Sequence, residues 1–430
     1  MTFTASLFRT KMRFQNRYIL TLLLAAGSFL RAGAQEIYSL RRALQTAQKN
    51  NPALKAEALN IGMAQSDIVT AGLRPNPVLN SQTLQLVQPA HFPAHTEWWN
   101  AQNRQVWWQL TKPLQIAGQR RYKLEVARKN ADVAANSYGE TRRSLLAAVA
   151  AKWLEAWTAQ KQLDIMLLAK SNIDSMVYTN KIRYKNQVIT QTDLFRTELM
   201  AKQYDIQYRS ALQESQNRNK ELRLLLGITD DLAVDTGDIL TFSRDINTDS
   251  LLSLSLSHRS DLLAARSLID AGNSNIRLQK SLAYPQPEVG LIWNPQNTIR
   301  YFGLYATIDL PFFNRNQGEI RKSYMMQEQA EQQLTAVQQQ IVTEISVTLE
   351  NYRLQQRNIA DFQPLLQQSQ LILDNVKYNY SRGGTTIIDF LEAQRSWLET
   401  QQEYYNTLQQ YRNSCIQLFY VTGLIHQLAQ

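Results

Sequence analysis

From Gln119 to Lys185 the chain runs 67 residues with no proline and one glycine, Gly139. Apolar or small residues recur along it at Leu124, Ala127, Ala131, Ala134, Tyr138, Leu145, Val149, Trp153, Ala156, Leu163 and Leu167. Their steps of threes, fours and sevens are helical periodicity. Charged and amide side chains such as Arg128, Lys129, Glu140, Arg142 and Gln160 stand between them. A helix of this length spans about 100 Å at 1.5 Å per residue. Neighbours of similar length must hold it along its flank. Such a rod suits a spacer, a coiled coil or a tube wall, not a catalytic core.

The flanking pattern occurs twice. Leu40–Gly72 reads as a helix with Leu40, Ala43, Ala47, Leu54, Ala58 and Ile61 on one face. Pro75-Asn76-Pro77 breaks it and starts an extended run in which Leu84 and Leu86 oppose Thr83 and Gln85. After a polar loop, Val106, Trp108 and Leu110 alternate with Gln105, Trp107, Gln109 and Thr111, which is the period of a strand. The long helix follows, then a helix over Thr192–Leu226 that stops at Gly227. The second half repeats this order with a helix over Ser260–Leu282, Pro285-Gln286-Pro287, and a hairpin. In that hairpin Val289, Leu291 and Trp293 share one face, and Phe302 and Leu304 oppose Tyr301 and Gly303. A long helix over Gly318–Arg382 and a last one over Ile387–Val421, ended by Gly423, complete it. A period of about 200 residues is too long for a solenoid and indicates a duplication. The expected organisation is a leader over 1–34, a first repeat over 35–227, an acidic linker over 228–250, a second repeat over 251–424 and a tail over 425–430. The two shorter helices of the first half together nearly match the long one, so they are expected to stack end to end beside it.

The formal charge is +10, but Arg9, Lys11, Arg13, Arg17 and Arg31 all lie in the first 34 residues, which hold no acid; without them it is +5. No Lys/Arg cluster with interleaved aromatics occurs, so nucleic-acid binding is not expected. The basic start, the 13 apolar residues Tyr18–Leu30 and the small-residue site Ala32-Gly33-Ala34 read as a secretory leader. Cys415 is the one cysteine, so no intramolecular disulfide and no N-terminal lipid anchor are expected.

The two hairpins give four strands, each near the 9–11 residues that cross a bilayer when tilted. Trp108, Trp293 and Phe302 lie on their apolar faces, with Trp98, Trp99 and Tyr301 as interfacial aromatics. Four strands cannot close a barrel, and open edges do not survive in lipid. If they span a membrane, several chains must build one barrel; the other reading is a soluble sheet packed on the helices.

The stretch Tyr380-Ser381-Arg382-Gly383-Gly384-Thr385-Thr386-Ile387-Ile388-Asp389-Phe390-Leu391-Glu392-Ala393 resembles the tyrosine–glycine turn of the TolC-like outer-membrane efflux proteins. A weaker counterpart is Ile189-Thr190-Gln191-Thr192-Asp193-Leu194, and Leu226-Gly227 and Thr422-Gly423 also fit. Lys112-Pro113-Leu114-Gln115-Ile116-Ala117-Gly118-Gln119-Arg120 is similar to the branch that exports heavy-metal cations. The resemblance covers essentially the whole mature chain. It implies a mainly α fold with a transmembrane β-barrel: a homotrimer with a twelve-stranded barrel in outer-membrane lipid and a coiled-coil tunnel through the periplasm. The implied partners are a periplasmic adaptor (membrane fusion) protein and an inner-membrane pump of RND or similar type. The implied function is a passive exit duct for heavy-metal cations or small toxic compounds. A soluble periplasmic coiled-coil adaptor or scaffold is the alternative, but no compact lipoyl-like segment flanks the hairpins.

Asp389 and Glu392, three apart on a helix, share a face. Three copies would set six carboxylates around one axis, where crowding raises pKa values and favours cations. The pore role is the favoured reading of the pair; the alternative for Asp389 is a helix N-cap after Gly383-Gly384, and the two roles are compatible. The resemblance implies that Asp193, preceded by Thr192, ties its helix to Tyr380; an N-cap role fits it as well. Where the family pattern can carry a bridging arginine this chain has Thr385, with Arg382 near enough to substitute. His91 and His95 flank Phe92-Pro93-Ala94, which is no helix, so no metal site is expected. No catalytic constellation or cofactor motif emerges, and no enzyme activity is expected.

Overall fold

The computed structural model describes residues 36–237, 247–296 and 299–430. The expected leader, 238–246 of the acidic linker and 297–298 of the second hairpin turn lie outside the described residues. The fold is mainly helical. The first half comprises β1 (Glu36–Tyr38), α1 (Leu40–Asn50), α2 (Pro52–Gly72), β2 (Val78–Gln85), β3 (Arg104–Pro113), α3 (Gln119–Lys185) and α4 (Gln191–Leu226). The second comprises β4 (Leu232–Val234), α5 (Thr248–His258), α6 (Ser260–Leu282), β5 (Glu288–Gln296), β6 (Ile299–Thr307), α7 (Gln317–Ser381) and α8 (Ile387–Val421). A 3-10 turn, Ile425–Ala429, occupies the expected tail.

The long helix α3 has the bounds its periodicity predicts, at 67 residues; its counterpart α7 has 65 and runs through Pro364. Pro364 supplies no N–H to the helix ladder, but α8 packs along α7 and holds it continuous. The buried stripe of α3 follows Ala127, Val149, Trp153 and Ala156, then shifts to Ile165, Met166, Ala169 and Ile173. Leu167, expected on that face, is half exposed. A seven-residue step falls behind a 3.6-residue helix by about 20° per heptad, so the stripe drifts.

Three expectations are corrected. Leu40–Gly72 is two helices, not one. Asn51 ends α1, and its side chain accepts from Leu54 N to cap α2, with Pro52 in the first position. The second half has an equivalent break at Arg259, preceded by α5. The alternation of Leu and Ser over 252–257 hid α5, because a period of two resembles a strand. The described strands number six rather than four: β1 and β4 form a separate parallel pair, Glu36 opposite Leu232 and Tyr38 opposite Val234. Three residues each are too few to show a period.

These breaks set the stacking. α1, α2 and α4 pack along α3, α6 and α8 pack along α7, and α6 and α8 also pack against α3, which joins the two halves. The end of α4 abuts the α1–α2 break: a Cβ on Gly227 (φ 65) would lie 2.7 Å from the Asn50 carbonyl oxygen. The end of α8 abuts the α5–α6 break, where a Cβ on Gly423 (φ 76) would lie 2.9 Å from the His258 carbonyl oxygen. Both contacts exclude any side chain, and both φ values suit glycine.

The main core surrounds these junctions, with Leu44, Leu146, Trp153, Leu222, Leu226, Leu251, Leu262, Ile345 and Cys415 among its buried residues. Trp153 Nε1 donates to Tyr38 O at 2.8 Å and ties the β1–β4 pair to α3. Arg259, 1% exposed, donates to both Asp261 oxygens at 3.0 and 2.6 Å and to Glu344 at 2.5 Å. Arg143 approaches Asp261 at 3.6 Å and covers the Tyr420 ring at 4.0 Å. Burial alone would push the Asp261 carboxyl up, but Arg259 and Arg143 outweigh it and hold it below its ordinary 3.8.

Arg259→Ala should therefore cost about 3–5 kcal/mol by stranding Asp261 and Glu344, measured by thermal unfolding in detergent. Because the folded pKa of Asp261 is depressed, its contribution is present above the ordinary value of 3.8 and lost as pH falls through the lower folded value. Stability of the parent should fall over that acid window, and an Asp261→Asn variant should lack this component.

Candidate functional site

Two regions carry the predicted residues: the paired helix tips at one end and the four-stranded sheet at the other. At the tips, Thr190 caps α4 and Thr386 caps α8, each in a capping box with the residue three positions on. Asp193 accepts from Thr190 Oγ1 at 2.8 Å and Thr190 N at 3.3 Å. Asp389 Oδ2 accepts from Thr385 Oγ1, Thr386 Oγ1 and Thr386 N at 2.7, 2.7 and 3.0 Å. The Thr385 and Thr386 donors hold the Asp389 carboxyl below its ordinary value. Thr385, standing where a bridging arginine was sought, is part of this cap. Glu392 is exposed, 3.7 Å from Arg395. It lines a groove of about 330 Å³ between α4 and α8 that also holds Arg196, Ile388 and Leu391. Thr192 is exposed on the first turn of α4.

The buried contact between the tips differs from the one the resemblance implied. The Tyr380 hydroxyl donates to Asn180 Oδ1 at 2.9 Å, not to Asp193. Asn180 Nδ2 donates to Thr197 Oγ1 at 2.9 Å, and Thr197 donates to the Asp193 carbonyl at 2.9 Å. Asp193 thus joins through its backbone, while its carboxylate caps. Asn180 and Thr197 are fully buried. Phe390 stacks on Tyr380 at 5.8 Å, and the Arg183 guanidinium lies 4.8 Å from that ring and donates to the Tyr380 carbonyl at 3.2 Å. Burial pushes the Tyr380 hydroxyl pKa up, so it remains a donor at neutral pH. Arg382 instead covers Tyr378 at 4.3 Å, beside the Gly383-Gly384 turn, where Gly383 has φ 77. Asn180 and Arg183 were missed. A polar Asn180 in the buried stripe after Ile173 and Met176 was the available signal.

The sheet has the order β2-β3-β5-β6, antiparallel throughout, with β3–β5 joining the two halves. Its register assembles apolar rows that separate strand patterns could not reveal. Leu79, Leu110, Leu291 and Leu304 lie side by side across all four strands. Their exposures are 64, 50, 44 and 84%. Trp108, Trp293 and Phe302 form the next row with Ser81. Asn80, Gln109 and Tyr305 lie on the opposite face, with Tyr301 paired to Asn294 there. Leu84 also falls on that second face, opposite Gln105, so β2 enters the apolar rows through Leu79. Trp98 and Trp99 are exposed in the β2–β3 loop, with ring centroids 5.5 Å apart. In that loop His91 ends a 3-10 turn and His95 has φ 67, so they share no helix face.

Tyr380→Phe should strand the Asn180 acceptor and cost about 1–3 kcal/mol of tip stability. Hydrogen exchange should speed up at Asn180, Thr197 and their neighbours while the core around Trp153 is unchanged.

The sequence profile for outer membrane efflux proteins matches residues 43–228 and 251–424. No curated protein matches this chain by sequence. Among solved structures, the Campylobacter jejuni CmeC outer membrane channel superposes with a TM-score of 0.75 at 14% identity, covering 89% of this chain and 85% of that one. The Neisseria gonorrhoeae MtrE outer membrane channel, in an open state, gives 0.73 at 15%, covering 90% and 89%. The Vibrio cholerae outer membrane protein VceC gives 0.71 at 18%, covering 89% and 96%. These likenesses establish a shared fold. With the profile matching both halves, the chain belongs to the outer membrane efflux protein family.

Proposed function

We propose that this chain is one protomer of a trimeric exit duct that serves a tripartite efflux system. Three copies of the four-stranded sheet would close into a twelve-stranded barrel across the outer membrane. The helices would line a periplasmic tunnel whose tips meet a periplasmic adaptor and an inner-membrane pump. The leader over 1–34 would direct export, and the two halves would be duplicated copies of one unit. The observation that carries this reading is the sheet itself. Its apolar rows are exposed, and among the described residues the outer edges of β2 and β6 have no pairing strand. The similar structures named above are described as outer membrane channels or an outer membrane protein, which fits. A soluble adaptor would leave those rows in water.

No chemistry is required of such a duct; the pump supplies the work and the duct a path. Heavy-metal cations or small toxic compounds are the proposed cargo. Asp389 and Glu392 would form the constriction, with Asp389 also capping α8. Asp389 accepts hydrogen bonds from Thr385 and Thr386 that favour its anionic form, as a cation-favouring ring needs. The Tyr380–Asn180–Thr197 contact would hold the α3–α4 and α7–α8 tips together until the adaptor loosens them.

In planar bilayers the parent should conduct as a trimer with cation preference. Replacing Asp389 and Glu392 with Ala should reduce that preference and relieve block by divalent cations. Unchanged selectivity would leave Asp389 with capping alone, and a water-soluble monomer that never conducts would overturn the duct.

A further inference from the structure

Where β3 gives way to α3 lies a pocket of about 540 Å³, lined by Arg74, Lys112, Leu114, Arg120, Arg121 and Leu124 among others. Four of its lining residues are cationic and none is acidic. Glu125, one turn on from Arg121, pairs with Arg277. Glu288 stands across from Pro113 on β5, on the face of the sheet opposite to Lys112. Among the described residues none of the four cations is ion-paired within 4.0 Å. Arg120 Nε donates to the Gly72 carbonyl at 2.6 Å, and Arg121 lies 5.9 Å from the Tyr122 ring. α3 begins here at Gly118 without a side-chain cap, so its first turn adds positive potential. Four like charges gathered without a carboxylate repel one another, and a bound anion would relieve that repulsion.

The register says where the anion comes from. Lys112 lies two residues beyond Leu110 on β3, so it shares the face of Trp108 and Leu110. Val289 is its neighbour across the strand. The pocket therefore opens at the helix-side end of the apolar rows, with Leu114 and Leu124 in its lining. An amphiphile with chains against Trp108 and Leu110 would bring its headgroup to this cluster. Arginines bind phosphate oxygens in bidentate fashion, and a lysine at a membrane boundary extends to the headgroup layer.

We propose that this pocket binds the phosphate of a glycerophospholipid headgroup at the periplasmic boundary of the barrel. This rests on the reading that the sheet lies in the membrane. The strand-exit segment Lys112–Arg120, which sequence likeness ties to cation export, is then an anion-binding element.

The test is native mass spectrometry of the intact protein in detergent with added phosphatidylglycerol. Two variants are compared with the parent. One carries Arg74→Gln, Lys112→Gln, Arg120→Gln and Arg121→Gln; the second keeps Arg120, whose bond to Gly72 is structural. Flotation with vesicles reports membrane insertion in parallel. The parent should retain phosphatidylglycerol, and both variants should float normally yet retain at least about tenfold less. Equal retention by proteins that all float overturns the pocket assignment and leaves the membrane reading intact. Failure of the parent to float overturns the membrane reading and this one with it. Displacement of phosphatidylglycerol by an equal concentration of inorganic phosphate overturns the lipid as the source and assigns the pocket to free phosphate.

Discussion

A strand edge placed in hydrocarbon has no water to satisfy its N–H and C=O groups, and each unpaired group costs several kcal/mol. The sheet β2-β3-β5-β6 has two outer edges, at β2 and β6, and exposed apolar rows that suit it to the proposed place in lipid. In the proposed membrane setting the sheet is incomplete within one chain. A proposed ring of copies removes the edges, because closure is the one arrangement in which every strand has two neighbours.

The helical body carries that sheet at one end and the paired helix tips, the proposed gate, at the other. Its two buried clusters lie at different heights. The larger collects the helix junctions around Trp153, where Gly227 and Gly423 permit backbone-to-backbone contact. The smaller packs Tyr380, Phe390 and Trp397 against Ile173 and Met200 near the tips. Arg259, Asp261, Glu344 and Arg143 form a buried ionic group beside the first. The tip cluster instead holds neutral polar groups, Asn180 and Thr197, sharing hydrogen bonds with Tyr380. Neutral contacts exchange more easily than a buried ion group, which suits the proposed opening of the tips.

Long-range order was legible where the pattern is long. The bounds of α3 followed from sixty-odd residues of helical spacing, and the turn glycines marked the ends of α4 and α8. Short elements were not legible: β1 and β4 have three residues each, and the Leu-Ser alternation disguised α5. Cross-strand register lies outside any single strand's pattern, so the row Leu79–Leu110–Leu291–Leu304 appeared only in three dimensions. The basic pocket likewise joins Arg74 to Lys112, Arg120 and Arg121 of the strand-exit segment, a meeting that appears only in three dimensions. At the tips the sequence supplied the right tyrosine and the wrong partner. Asp193 and Asp389 both obey local capping chemistry, which leaves Asn180 to meet Tyr380.

Backbone amide exchange at the outer edges of β2 and β6 tests the central claim most directly. In protein purified into detergent micelles, these edge amides should be protected as strongly as those of β3 and β5, because neighbouring copies pair them. Fast exchange confined to β2 and β6, with β3 and β5 protected, would contradict a closed barrel.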